Sequence, residues 1–258
     1  MWCGCPTGCG ASPCLRASKR SRSTCETSPA HGKPRFRDPR AWSTCLVRAI
    51  CAARAEGAGP GVFVSASATG IYGEGGESVL REDSPVGGDW LADLAVSWEE
   101  AARGAGQCGV RVVTLRTGLV LGDEGILPRL RTPMRFFVGG PIGSGRQWVP
   151  WIHHSDIAGA YRFSLEHNGL EGPVNACAPE AVRMSDFTRA LGRVLGRPSW
   201  LRVPRFVLRI LLGEVASYMV MSQQAIAHKL LTAGYEFRFR TLDAALVDVL
   251  GRGGSTPI

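Results

Sequence analysis

The chain has 258 residues, 45% of them hydrophobic and 20% charged, with a formal net charge of +8. That size and apolar content suit one large domain, alone or with a small annex. The charge is lopsided: residues 1–60 hold ten Lys/Arg against three Asp/Glu, and the others hold twenty against nineteen. Most of the chain is thus near neutral, without the basic stripe that a nucleic-acid backbone requires.

Nothing near Met1 resembles the apolar centre of a secretory signal, and no apolar run approaches the ~20 residues of a membrane span. The sequence therefore reads as cytoplasmic, with neither nucleic acid nor membrane as partner. Cys3, Cys5, Cys9, Cys14 and Cys25 crowd the start without the paired spacing of a zinc site, so no metal is expected there. Without a secretory signal, a disulfide framework is not expected there either. Met1–His31 has no apolar periodicity from which to build a core. It reads as a disordered extension, or as an artefact of a misassigned start.

Asp38–Ala55 carries Asp38 as a possible N-cap, Pro39 at the first helical position and Gly57 past the end, which predicts a helix. Val62, Phe63 and Val64 form the short apolar run of a buried parallel strand. The strand leads through Ser65, Ala66, Ser67 and Thr69 into Gly70-Ile71-Tyr72-Gly73. In an open α/β sheet, ligands bind beyond the carboxyl ends of the strands, which puts these hydroxyls at a candidate site. A polar strand end with a loop hydrogen bond would leave the same pattern.

A helix is predicted over about Asp89–Gly104, with Leu91, Leu94, Ala95 and Trp98 at helical spacing. Arg111–Leu115 reads as the next strand and runs into Arg116-Thr117-Gly118. A loop-and-helix region leads to the Gly-rich stretch Gly139–Trp148, which holds Arg146 but lacks the spacing and the following helix of a phosphate loop. Trp151-Ile152-His153-His154-Ser155-Asp156 then opens a helix, with Ser155 or Asp156 suited to cap it. Pro173–Ala178 reads as a short final strand, and helices are predicted over Met184–Leu195, Pro204–Leu212 and Leu242–Leu250.

The stretch Val62–Gly73 resembles the serine-bearing strand of the extended short-chain dehydrogenase/reductases, the NAD(P)-dependent epimerase/dehydratase group. The resemblance continues through Leu115–Gly122 and Trp151–Ala158. From about Gly32 onward it points to an epimerase-like branch that ends in a small C-terminal domain of unknown function. It implies an α/β fold: a doubly wound, Rossmann-like parallel sheet, with residues 32–180 as its C-terminal half and residues 181–258 as a small, mostly helical domain. It implies NAD(P) as cofactor and an unknown small-molecule substrate.

On this resemblance Ser67 is the hydroxyl that meets the reacting carbonyl or alcohol, and Tyr72 is a candidate replacement acid, though a ring packed under its loop explains it too. Ser65, Ala66, Arg116, Thr117 and Gly118 are candidates for cofactor contact, with Arg116 bonded to loop carbonyls as the alternative. Arg146, Trp151 and His153 are candidates for substrate contact. His153 with Asp156 could form an acid/base pair, or a structural histidine beside a capping carboxylate. Ser67, Thr117 and Arg146 are expected to converge on one cleft.

Two features of the family are missing from the sequence. No Gly-rich strand-to-helix turn precedes Ser67, and such a turn is what holds a dinucleotide pyrophosphate. Only 61 residues precede Val62, against roughly 100 for four strands with their helices at ~30 per βαβ unit. The chain thus reads as lacking the nucleotide-binding half, with no competent cofactor site of its own. The Tyr-x-x-x-Lys proton-transfer pair is absent as well; matching the helix by Trp98-Glu99 puts Leu91 and Ala95 in those places. Two readings stand: an NAD(P)-dependent epimerase or oxidoreductase-like protein, and a non-catalytic NAD(P)-sensing or regulatory module on the same fold. The Ser67 strand is expected to expose an unpaired edge through which the chain self-associates.

Overall fold

The structure, a computed structural model, describes residues 39–135, 139–200 and 221–252. The readings for Met1–His31 and Pro204–Leu212 lie outside the described residues.

The chain enters through α1 (Pro39–Ala55), whose buried face carries Val47 and Ile50. β1 (Val62–Ala68) follows, then a 3-10 turn over Thr69–Tyr72 and the two-residue β2 (Val79–Leu80). Next is α2 (Trp90–Arg103). The Asp89 carboxylate caps it, accepting from the backbone N–H of Leu91 at 2.9 Å and of Ala92 at 3.0 Å. β3 (Arg111–Thr117), β4 (Leu119–Leu121), α3 (Ile126–Arg135), β5 (Trp148–Val149) and β6 (Trp151–His153) come next. They lead to α4 (His154–Glu166), β7 (Gly172–Ala176), β8 (Val182–Arg183) and α5 (Met184–Leu195). After residue 220 come β9 (Gln224–Ala225), α6 (His228–Thr232) and α7 (Leu242–Arg252).

The predicted strands form one parallel sheet in the order β1-β3-β7. Helices lie on both faces, as an all-parallel sheet requires. On one face Phe63 and Val112 pack under α1 and α2 with Val47, Ile50, Ala102 and Ala105. On the other, Val113, Leu115, Val174 and Ala176 pack with Ile152 and Ala160. There Arg111 fastens the end of α4, donating to the carbonyls of Ser164 at 3.0 Å, Leu165 at 3.1 Å and Leu170 at 2.7 Å. A further core gathers Leu121, Leu127, Ile142, Trp151, Met184, Phe187, Leu191 and Leu246. It draws on residues from both sides of position 181.

One departure from the sequence reading has a local cause. α4 is capped by His153, whose Nδ1 accepts from the Ser155 backbone N–H at 3.2 Å. Ser155 and Asp156 are not the cap; the Asp156 carboxylate accepts instead from the backbone N–H groups of Arg238 and Phe239, at 2.8 and 3.0 Å. The structure also holds a disulfide between Cys51 in α1 and Cys108, just past α2, a pair on which the sequence reading made no statement. No helix among the described residues is long and apolar enough to cross a membrane.

Candidate functional site

Side chains alternate along a strand, so the register decides which groups meet. Ser67 stands opposite Arg116, and Arg116 opposite Asn175, placing all three on the α2 face of the sheet. The side of α2 that meets this face has Ala92, Ala95, Glu99 and Ala102 buried at helical spacing. Three alanines bring the helix close, and the fourth position supplies a carboxylate. Glu99 takes a bidentate hold on Arg116, Nε to Oε1 at 2.8 Å and Nη2 to Oε2 at 2.9 Å. The Ser67 hydroxyl donates to the same Oε1 at 2.8 Å.

The network extends from the other end of the guanidinium. Arg116 Nη1 donates to the Tyr72 hydroxyl at 2.9 Å and to the Glu82 carbonyl at 3.0 Å. Tyr72 in turn donates to Asn175 Oδ1 at 2.6 Å. The amide of Asn175 donates to the carbonyls of Leu80 and Ile226, and its backbone N–H to Glu82 Oε1 at 3.1 Å. Ser67, Tyr72, Glu82, Glu99, Arg116 and Asn175 are all buried. Buried charges persist only when paired and hydrogen-bonded, and these are.

The electrostatics follow from that enclosure. Burial pushes the Tyr72 phenol up to about 12, against the opposing pull of Arg116. For Arg116, burial works against the charge, but the hydrogen bonds to Glu99 and Tyr72 outweigh it and hold the pKa above its ordinary value. Tyr72 is therefore a phenol whose one proton is given to Asn175, and Ser67 is a hydroxyl whose one proton is given to Glu99.

The remaining candidates lie elsewhere. Thr117 belongs to the opposite face from Ser67 by register; its hydroxyl donates to the Leu115 carbonyl at 3.3 Å and bonds Tyr161 of α4. The two side chains expected to share a cleft thus leave the sheet on opposite sides. Gly118 lies against Pro150, whose carbonyl oxygen is 2.7 Å from where a Cβ would stand, so protein and not an open cradle fills that place. Ser65 is half-buried and Ala66 exposed at the open side of β1. With Arg116 committed to Glu99, Tyr72 and Glu82, and Thr117 turned away, the Ser65 hydroxyl, bonded only to the Ala66 carbonyl at 3.4 Å, is the one side-chain donor these residues leave for a pyrophosphate.

Of the substrate candidates, Arg146 is exposed, and its backbone carbonyl accepts from Arg183. Trp151 is sealed in the core beneath α5 and α7. His153 is equally enclosed, with Nδ1 at 2.7 Å from the Ser155 hydroxyl and Nε2 at 3.3 Å from Asp248, so its close carboxylate is Asp248 and not Asp156. A cavity of about 380 Å³ adjoins the Arg146 stretch through Trp148 and Arg183, and is lined also by Glu180, Arg189, Arg193 and Asp243 among others. Its arginines are paired with Glu77, Asp186 and Asp243.

Sequence reasoning missed Glu99, Glu82 and Asn175 as members of the network. Glu99 did leave a signal, an acid in the alanine stripe of α2. Glu82 and Asn175 left none, because their partners, Tyr72 and backbone groups among them, are distant in sequence.

Comparison with known proteins places the chain in a family. Residues 42–177 match the profile of the NAD dependent epimerase/dehydratase family, and residues 203–249 match a domain of unknown function, DUF1731. Epimerase family protein YfhF of Bacillus subtilis is 40% identical over 192 residues, covering 74% of this chain and 63% of that protein. The chloroplastic SDR39U1 homolog of Arabidopsis thaliana is 40% identical over 188 residues, covering 72% and 54%. The chain thus spans less than two thirds of either relative. Human epimerase family protein SDR39U1 (isoform 2), solved with NADPH, superposes with a TM-score of 0.76 at 32% identity, over 82% of this chain and 72% of that one.

Proposed function

Because the chain belongs to the NAD dependent epimerase/dehydratase family, we propose that it is an NAD(P)-dependent epimerase or oxidoreductase-like protein whose residues here form the substrate-side part of the site. The observation that carries this is the Ser67–Glu99–Arg116 network at the carboxyl end of a parallel sheet, where α/β proteins place their ligands. Ser67 has given its proton to a carboxylate, so towards a substrate it can only accept. It suits a hydroxyl donor, a small-molecule alcohol, better than a carbonyl oxygen. The Glu99–Arg116 pair is the positioning device, fixing the serine rotamer by charge-assisted bonds.

These residues by themselves do not hold the cofactor, because Ser67, Arg116 and Thr117 are committed inside the protein and Ser65 alone is left as a donor. A titration with NADPH and NADH tests this: no binding is expected to the 258-residue chain. Binding is expected once the part of the NADPH-bound human relative that this chain does not cover is fused ahead of α1. Tight binding by the unfused chain would overturn the reading. The spent protons of Ser67 and Tyr72 favour a second reading, a regulatory module that binds without turnover. Turnover of any alcohol or carbonyl panel by the fused chain would exclude it.

A further inference from the structure

The bridge between Cys51 and Cys108 lies where a thiol can reach it. Both cysteines are only half buried, and Gly106, Gln107 and Gly109 around Cys108 are exposed. Cys177 is the contrast: it is sealed in the core with its Sγ on the Ala225 carbonyl, and burial pushes its thiol up, away from thiolate chemistry. A thiolate cleaves a disulfide faster when the departing sulfur is stabilised as an anion. Arg54 is placed to do this. It follows Cys51 by three positions, on the same side of α1. Its Nη2 comes within 3.8 Å of where a Cβ would stand on Gly109, the neighbour of Cys108. Arg54 is exposed, and no carboxylate among the described residues pairs with it.

We propose that Cys51 and Cys108 form a redox-active site whose co-reactant is a dithiol, and that the bond between them is a reversible clasp on α1. One thiolate of the dithiol attacks Sγ of Cys51, the bond to Cys108 breaks, and Cys108 leaves as a thiolate beside Arg54. The second thiolate of the dithiol then attacks the first sulfur and releases Cys51. Two electrons pass to the protein, the dithiol departs as a cyclic disulfide, and its two protons go to Cys51 and to Cys108 or the solvent. The clasp governs a small contact. Val47 and Ile50 of α1 meet Ala102, Ala105, Val110 and Val112, and Ala102 stands one turn after Glu99 in the buried stripe of α2. Once the bond is open, that apolar patch alone keeps the described part of α1 on the layer that positions Glu99.

The test equilibrates the full chain in graded mixtures of reduced and oxidised dithiothreitol, then alkylates and maps each cysteine by mass. Cys51 and Cys108 should take up label together in one transition, and oxidised dithiothreitol should reverse it. Cys177 should stay unlabelled and the near-ultraviolet circular dichroism should persist. In the reduced chain the Val47 and Ile50 amides should exchange about tenfold or more faster, while those of β3 hold. Cys51→Ser with Cys108→Ser should show the fast exchange in both buffers. Arg54→Gln should slow the opening about threefold or more, and Arg54→Lys should restore it. Absence of label from Cys51 and Cys108 across the whole series overturns the proposal, as does label that appears only with loss of the circular dichroism signal. Equal opening rates in wild type and Arg54→Gln overturn it too, as does α1 exchange in the double serine variant that still responds to reduction.

Discussion

Glu99 is the residue on which the sheet's polar interior depends. It satisfies Ser67 and Arg116 together, and both lie where water cannot replace it. Glu99→Gln leaves a buried guanidinium without its counter-charge, so a loss of about 3–5 kcal/mol in urea denaturation is expected. Replacing the pair together, Glu99→Leu with Arg116→Met, should cost far less, because breaking a buried pair is worse than never having it. His153 supplies the titrating counterpart. Burial, helped by neighbouring His154, holds its pKa below the ordinary value against the pull of Asp248 and Asp156. The unfolded chain then binds the proton more readily than the folded one. The His153 contribution is complete above the unfolded value of ~6.5 and is lost as pH falls below it. Denaturation midpoints measured from pH 7.5 downward should show that fall. His153→Asn, which keeps an N-cap acceptor, should flatten it.

At the scale of elements, caps and close approaches carry the testable content. Asp89→Ala removes the acceptor for two N–H groups at the start of α2, so a loss of about 1 kcal/mol is expected from thermal or chemical denaturation. Gly118→Ala should cost more, about 1–3 kcal/mol, because its methyl would meet the Pro150 backbone and not a flexible side chain. These elements also show what the sequence made legible. α1, α2, β1, β3 and α5 announce themselves through Pro39, apolar runs and helical spacing, all local signals; the Asp89 cap was found only in the structure. β2, β5, β8 and β9 are two residues long and exist only because a distant chain segment lies alongside. The cap of α4 was misread because an imidazole acceptor has no place in a Ser/Asp capping rule. The site was half legible: Ser67, Tyr72 and Arg116 stood out, but that they bond through Glu99 and Asn175 is a matter of register, which no single segment encodes.

For the molecule as a whole, the Cys51–Cys108 bridge ties α1 to the layer behind β1 and β3 across 57 residues of sequence. Closing a loop of that length is worth up to about 4 kcal/mol in the chain-entropy account. Cys51→Ser with Cys108→Ser should therefore lower the melting temperature markedly, and α1 amides should lose protection first. Glu82 acts across a still longer span. Its Oε1 accepts from the backbone N–H of Asn175 in β7 and of Lys229 in α6, both at 3.1 Å. A carboxylate shared in this way makes the sheet and the C-terminal helices fail together, since losing either partner strands the other's charge acceptor in a dry interior. The heat of melting should appear as a single peak whose calorimetric and van't Hoff enthalpies agree. Glu82→Ala should split that peak in two, turning one cooperative body into a pair that melts in sequence.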